Sequence, residues 1–286
     1  MADFDRRTPV NGHTRIIGHL GYPTGSFRAP MIYNPYFARE GIDALVVPLG
    51  CKAPEFPAFL GLFATLSNAH GALITMPHKV TVLGLLDEVS PTARIAGACN
   101  AVRFDDGRMI GDMFDGEGFA RGVLRKGRTI AGASVLVIGA GGVGSAIAAS
   151  MAKAGAGRLG LFDAHPDTAA ALGQRLSAHY PTLSVTLGSN DPSGFDIVVN
   201  ATPLGMKAGD PLPLDIARLS PDTFVGEVVM SQEITPFLAA AREKGCAYQV
   251  GVDMLFEQIP AYLEFFGFAT TTAEDLRSVA QLGSFA

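Results

Sequence analysis

Short apolar runs alternate along the chain with longer stretches of helical period. Segments 15–21, 44–50 and 71–76 read as buried strands, and 30–40, 54–68 and 78–87 read as helices. Strands that are apolar on both faces need cover on both sides, so a β/α alternation with helices over the sheet is the economical architecture. Pro30 and Pro54 sit where an early helical turn tolerates a missing donor, and Pro77 ends its strand before the next helix. Segments 98–104 and 109–112 flank Asp105-Asp106-Gly107-Arg108 and read as two strands joined by a tight turn. A second series follows: a helix over 116–126, a strand over 134–138, a helix, a strand over 158–163 and a helix over 168–179. Strands are then expected over 184–187, 195–200, 224–229 and 247–250. Segments 254–266 and 272–282 return to helical period, with Thr271 or Thr272 as a cap before Glu274. Periodicity alone leaves open whether they complete the second sheet or fold back on the first domain.

Composition narrows the class. A chain of 286 residues favours two domains over one large core. Its 34 glycines and 18 prolines follow no triplet period and sit among many aliphatic residues, which excludes collagen-like and disordered readings. The formal net charge is -5 and Lys and Arg form no long run, so no nucleic-acid partner is expected. Cys51, Cys99 and Cys246 are far apart and odd in number, which suits a reducing, cytoplasmic compartment. The first 15 residues carry Asp3, Asp5, Arg6 and Arg7 rather than an apolar signal core, and no apolar stretch has the length of a membrane span. The six histidines form no close ligand set, so no metal is expected and a metal-dependent hydrolase has little support.

The most specific short motif is Gly139-Ala140-Gly141-Gly142-Val143-Gly144, directly after the strand at 134–138 and directly before a helix-forming stretch. Gly139 permits the tight turn, Gly141 lets backbone amides approach a pyrophosphate, and Gly144 allows close helix–sheet packing. Asp163 ends the next strand 24 positions beyond Gly139, where a carboxylate accepts hydrogen bonds from an adenine ribose. Like-charge repulsion with a 2′-phosphate, and no Arg immediately after Asp163, argue for NAD as cofactor over NADP. The fold class is therefore α/β, with a Rossmann-like dinucleotide-binding domain as the second half. On the N-terminal side, Thr75-Met-Pro-His-Lys79 lies at the carboxyl end of a strand, the usual address for function in an open α/β sheet. By spacing alone a single Lys such as Lys79 is more often solvated than catalytic, and Asp115 is only a candidate ionic partner.

These motifs together resemble the shikimate dehydrogenase family. The resemblance is carried by Gly21-Tyr-Pro23 followed by Pro30, Thr75-Met-Pro-His-Lys79, Gly97-Ala-Cys-Asn100, Asp115-Gly-Glu-Gly118 and the glycine-rich turn. Asn200-Ala-Thr-Pro-Leu-Gly-Met206 and Gln258 complete it. It implies an α/β substrate domain over 1–107, a nicotinamide-nucleotide domain over 108–250, and C-terminal helices over 251–286 that pack back on the substrate domain, with a cleft between the two domains. It implies Lys79 and Asp115 as the catalytic pair for reversible oxidation of a ring hydroxyl to a ketone, the hydride passing to or from nicotinamide. Thr75, Asn100 and Gln258 resemble substrate-orienting residues. Asn200, Thr202, Pro203, Gly205 and Met206 resemble the loop beside the nicotinamide.

Departures from the family pattern concern the substrate. The serine pair that grips a carboxylate is replaced by Phe27 and Ala29 within Ser26-Phe27-Arg28-Ala29-Pro30. Leu73 stands in place of an asparagine, Met113-Phe114 in place of an Asn-Thr pair, and Glu227 in place of a shorter acidic residue. Arg28 is either a substitute carboxylate clamp or a solvated loop residue. The leading expectation is an NAD-preferring dehydrogenase for a small-molecule shikimate- or quinate-like substrate. The alternatives are a dehydrogenase for a non-shikimate alcohol and a dinucleotide-binding regulatory protein that kept the scaffold. Assembly into a homo-oligomer stays open.

Overall fold

The computed structural model describes residues 10–25 and 27–282, so Ser26 and the charged residues at positions 3–7 lie outside the described residues. The chain divides into two compact units. One contains the chain up to Ser90, Ala98–Met113 and the chain from Ile259; the other contains Pro91–Gly97 and Phe114–Gln258.

In the first unit, β1 (Arg15–Gly21), α1 (Pro30–Glu40), β2 (Ala44–Gly50), α2 (Phe56–Phe63) and β3 (Ala69–Ile74) follow the expected alternation. β1 lies between β2 and β3 and is parallel to both. The expected helix over 78–87 is absent. A single 3-10 segment, Thr81–Leu85, replaces it before a short β4 (Glu88–Val89). β-Branched Val80, Thr81 and Val82 followed by Gly84 give this stretch poor helix propensity. The helix expected over 54–68 is shortened at both ends, and Thr65 Oγ1 donates to the Leu62 carbonyl at 2.7 Å just past its C-terminus.

The helix α3 (Pro91–Ala96), which hydrophobic pattern did not reveal, belongs to the second unit. β5 (Ala101–Asp105) and β6 (Arg108–Asp112) form the expected hairpin, with Asp106 at φ 47° and Gly107 at φ 76°. Positive φ at both central residues matches the right-handed twist of the strands, which favours an Asp-Gly pair. The sheet order is β2-β1-β3-β5-β6-β4. Because β6 pairs with β5, the first unit runs to Met113 rather than to the expected boundary at 107.

The second unit contains α4 (Asp115–Arg125), β7 (Ser134–Ile138), α5 (Gly142–Lys153), β8 (Arg158–Phe162), α6 (Pro166–His179) and β9 (Ser184–Leu187). It continues with β10 (Ile197–Asn200), β11 (Phe224–Glu227), α7 (Pro236–Glu243) and β12 (Tyr248–Gln249). All six strands are parallel, in the order β12-β11-β10-β7-β8-β9. Val135 and Val137 join one apolar cluster with Ile147 and Leu159, while Leu136 and Ile138 join the other with Val198 and Phe237. Burial of both faces explains why β7 reads as an unbroken apolar run. No apolar pattern marked α7, but its start is written in Thr235-Pro236: Thr235 Oγ1 accepts from the Leu238 amide and Pro236 sits in the first turn.

α8 (Gly251–Phe265) crosses from one unit to the other in sequence, with Gln258 the last residue of the second unit and Ile259 resuming the first. Beyond it, the Tyr36 hydroxyl donates to the Ala269 carbonyl at 2.9 Å, and Arg39 pairs with Asp275 of α9 (Ala273–Val279). Thr272 caps α9 by accepting from the Asp275 amide at 3.2 Å. Among the described residues no helix is long and apolar enough to cross a membrane.

Candidate active site

The functional stretches of the first unit leave the carboxyl ends of β1 and β3 and are fixed by main-chain bonds. The Thr75 amide donates to the Leu20 carbonyl at 2.9 Å, and the Tyr22 amide donates to the Met76 carbonyl at 3.0 Å. The Cys99 amide donates to the Lys79 carbonyl at 2.8 Å, which holds the half-buried Lys79 on its loop. Asn100 is buried beside β3, its carbonyl accepting from the Ile74 amide at 2.8 Å and its amide donating to the Asp112 carbonyl at 3.0 Å. His78 has a structural job: its ring stacks on Phe56 at 3.9 Å and donates to the Cys51 carbonyl at 2.8 Å.

Gly21 sets the spacing of the adjoining wall. A Cβ there would lie 2.4 Å from the Thr75 methyl and 2.9 Å from the tip of the Phe27 ring. The absent side chain therefore admits both Thr75 and Phe27. Leu73 is buried directly across from His19 in the β1–β3 register, and the His19 ring stacks on Phe27 at 4.0 Å. Arg28 is half-buried at the entry to α1, its carbonyl accepting from Met31. Motif reading overlooked His19. The signal was available as a single polar residue inside the apolar run of β1.

In the second unit, β7 is the strand from which the sheet grows in both directions, and ligands in such sheets bind outside the carboxyl ends at this switch point. Gly139 adopts φ 99°, and a Cβ on it would lie 2.8 Å from the Ala201 backbone. A Cβ on Gly144 would come within 1.8 Å of the Gly139 carbonyl oxygen, whereas nothing lies within 4 Å of the Cβ positions of Gly141 and Gly142. The turn is thus closed toward the sheet and open where Gly141, Gly142 and Val143 lead into α5. That arrangement fits a dinucleotide pyrophosphate received by the helix amides.

Asp163 is half-buried, accepting from the Ala140 amide at 2.7 Å and from the His165 amide at 2.8 Å. Both carboxylate oxygens are thereby aimed between the glycine turn and the loop after β8.

Asn200 serves the loop internally. Its side chain is fully buried, donating to the Leu204 carbonyl at 3.0 Å and accepting from the Thr202 amide at 3.1 Å and the Thr202 hydroxyl at 2.6 Å. It shapes the turn that presents Pro203 and Met206, both exposed, and Gly205, which adopts φ 99°. Beside it in register on β11 is Glu227, fully buried and accepting from the Thr235 hydroxyl at 2.9 Å. Burial pushes the Glu227 carboxyl up to about 7, against the opposing hydrogen bonds from Thr235 and Asn200.

Asp115 is buried in the first turn of α4, where the helix dipole favours a negative charge. Its neighbour Gly116 permits close approach of α5, since a Cβ would lie 2.0 Å from the Ala146 carbonyl. Gly118 does the same for α8, with a Cβ 2.6 Å from that of Gln258. Gln258 is buried, and among the described residues its Oε1 has no hydrogen-bond partner. Phe114 is buried at the entry to α4. Of the predicted residues, Lys79, Thr75 and Asn100 share the first unit with Phe27, Arg28 and Leu73. Asp115, Phe114 and Gln258 share the second with the glycine turn, Asp163 and the 200–206 loop. Among the described residues no group of three His, Cys, Asp or Glu is arranged to hold a metal ion.

A parallel sheet in Rossmann order with a phosphate-receiving glycine turn, joined to an α/β unit bearing a pinned lysine, defines the class of two-unit nicotinamide-nucleotide oxidoreductases. Residues 20–102 match the model of the shikimate dehydrogenase substrate binding domain. A shikimate dehydrogenase (NADP(+)) of Acidiphilium cryptum (strain JF-5) is 35% identical over 274 residues, covering 95% of this chain and 98% of that protein. The chain belongs to the shikimate dehydrogenase family. Among solved structures, the shikimate 5-dehydrogenase of Listeria monocytogenes in complex with shikimate and NAD superposes with a TM-score of 0.88. The two share 26% identity, over 94% of this chain and 97% of that one. The ligand-free 5-ketofructose reductase of Gluconobacter sp. strain CHM43 gives 0.86 at 26% identity, over 95% and 99%.

Glu227 makes the second unit's stability depend on pH. A carboxyl raised to about 7 binds its proton more tightly in the folded than in the unfolded chain. Its contribution is therefore fully present below the ordinary carboxyl pKa and is lost as pH rises through about 7. Glu227→Gln keeps the shape and removes the titration, so its thermal midpoint should gain on wild type more at pH 8 than at pH 5. A midpoint difference that is the same at both pH values would contradict this assignment.

Proposed function

We propose that this protein is an NAD-preferring oxidoreductase that interconverts a secondary ring hydroxyl and its ketone on a shikimate- or quinate-like polyol. Lys79 carries the reading: it is held by its own main chain at the carboxyl end of β3, beside Thr75 and the buried Asn100. A bound nicotinamide nucleotide supplies the hydride acceptor for the alcohol and the hydride donor for the ketone. Lys79 exchanges the hydroxyl proton as carbonyl and alcohol interconvert, or stabilises the developing alkoxide. Asp115 is the second catalytic side chain. Asn100, Thr75 and Gln258 orient hydroxyls, since a buried amide left unpaired is costly.

The preference for NAD is argued from Asp163, because the relatives' names include both cofactors. Its carboxylate, fixed by the Ala140 and His165 amides, suits a 2′,3′-diol and repels a 2′-phosphate. Three free, buried cysteines accord with a reducing cytoplasm as the place of action.

The substituted wall favours one variation. With Phe27 and Ala29 at the serine positions and Leu73 buried at the asparagine position, the wall offers few donors to a carboxylate. An uncharged polyol ketone, of the kind named for the Gluconobacter reductase, suits it better than shikimate.

Two substitutions separate chemistry from cofactor choice. Lys79→Ala should lower kcat by about 10²- to 10⁴-fold on any alcohol or ketone the wild type turns over, with calorimetric affinity for NAD unchanged. Undiminished turnover would remove Lys79 from the chemistry, and NAD binding by wild type without turnover across shikimate, quinate and uncharged polyols would favour a regulatory role. Asp163→Ser should lower the NAD:NADP ratio of kcat/KM by roughly tenfold or more; an unchanged ratio would refute the ribose assignment.

A further inference from the structure

The wall of the first unit that lost its family serines contains a polar group no motif assigns. His19 projects from β1, with Leu73 of β3 on one side in the strand register and Pro48 of β2 on the other, and its ring stacks on Phe27 at an interplanar angle of 24°. Gly21, two residues on and therefore on the same face of the strand, makes room for the same Phe27 ring and for Thr75. His19 thus sits among side chains that separate this wall from the family pattern, next to the threonine that does not. Its Nδ1 is buried and has no hydrogen-bond partner among the described residues.

We propose that His19 is a specificity-determining residue whose neutral imidazole hydrogen-bonds a hydroxyl of an uncharged polyol ketone, in place of the carboxylate grip that the serine pair supplies elsewhere. This rests on the hydride-transfer reading above and names the substrate class for that site. Burial, with the charge of Lys79 acting in the same direction, lowers the His19 pKa to about 4, so the ring is neutral at physiological pH. A neutral imidazole has one donor and one acceptor, which matches a hydroxyl and gives no Coulombic hold on a carboxylate. Stacking on Phe27 fixes the ring plane, so the bond is directional before the substrate arrives. A carboxylate placed against the Phe27 and Leu73 side chains would lose hydration that neither of them restores, whereas a hydroxyl would satisfy the orphaned nitrogen. A structural histidine in the same fold is distinguishable by contrast: His78 has both a stacking partner and a carbonyl to bond.

The test is steady-state kinetics with NADH on two substrate classes: 5-ketofructose as an uncharged polyol ketone, and 3-dehydroshikimate as the ketone bearing a carboxylate. Wild type should favour the uncharged ketone by at least about tenfold in kcat/KM. His19→Leu should raise KM for that ketone by about tenfold with a smaller change in kcat, the size expected for one lost neutral hydrogen bond, and should spare KM for 3-dehydroshikimate. His19→Gln, which keeps a donor and an acceptor, should recover much of the loss, and circular dichroism with a thermal melt matching wild type serves as the check that both variants fold. The double substitution Phe27→Ser and Ala29→Ser should shift preference toward 3-dehydroshikimate.

An unchanged KM for the uncharged ketone in a folded His19→Leu protein would overturn the assignment, as would equal loss on both substrates or no recovery by Gln. A wild type that prefers 3-dehydroshikimate would overturn the substrate class while leaving the hydride-transfer reading intact. A wild type that reduces neither ketone with either cofactor would overturn both.

Discussion

The second unit depends on a contact that only a hydrogen can make. Gly144 approaches the Gly139 carbonyl so closely that any side chain would collide with it, and this approach lets α5 start immediately beyond β7. Because β7 lies between β8 and β10, the start of α5 falls at the one point where the sheet order reverses. Asp163 then ties the loop after β8 to the turn through the Ala140 amide, and Ala201 after β10 closes the turn from the other side. Three successive strand ends are thereby locked around one backbone feature. The side chains that bear on the cofactor follow from that lock.

The first unit uses the same device for a different purpose. The missing side chain of Gly21 lets Thr75 and Phe27 close over the end of β1. In one place glycine brings backbone to backbone at a helix start, and in the other it brings side chains together over a strand end. On the proposed reading, Lys79 keeps the reaction while Phe27, Leu73 and His19 face the wall beside it, which assigns reaction type and substrate choice to separable groups of residues. The loop after β10 divides its groups in a similar way. There Asn200 spends its whole amide on internal bonds, and what the loop presents outward is Pro203 and Met206.

Much of this was legible where one strong local rule decides the outcome. β7 falls at the expected residues because its apolar run is bounded by turn residues, β9 because Ser184-Val-Thr-Leu187 alternates polar and apolar positions before Gly188, and the Asp-Gly hairpin forms because its φ values demand that pair. The glycine turn has the tight bend at Gly139 and the close helix–sheet packing at Gly144 that its spacing assigned. Legibility failed where tertiary contacts overrule local pattern. The stretch after Lys79 has an apolar rhythm, yet β-branched residues and the buried His78 ring leave only a 3-10 segment. The helix Pro91–Ala96 is too short for periodicity to register. Its place in the second unit depends on long-range packing that sequence spacing does not carry. His19 escaped notice because its neighbours, Leu73 of β3 and Phe27, lie in stretches that motif reading treats as separate.

Direct hydride exchange with nicotinamide is the central claim, and isotope transfer tests it most directly. NADH deuterated at the transferring position of C4 should deliver one deuterium to the carbinol carbon of the reduced polyol in ordinary water, read by mass spectrometry and NMR. A reduced product without deuterium at that carbon, or no reduced product across ring ketones and keto-sugars, would contradict the account.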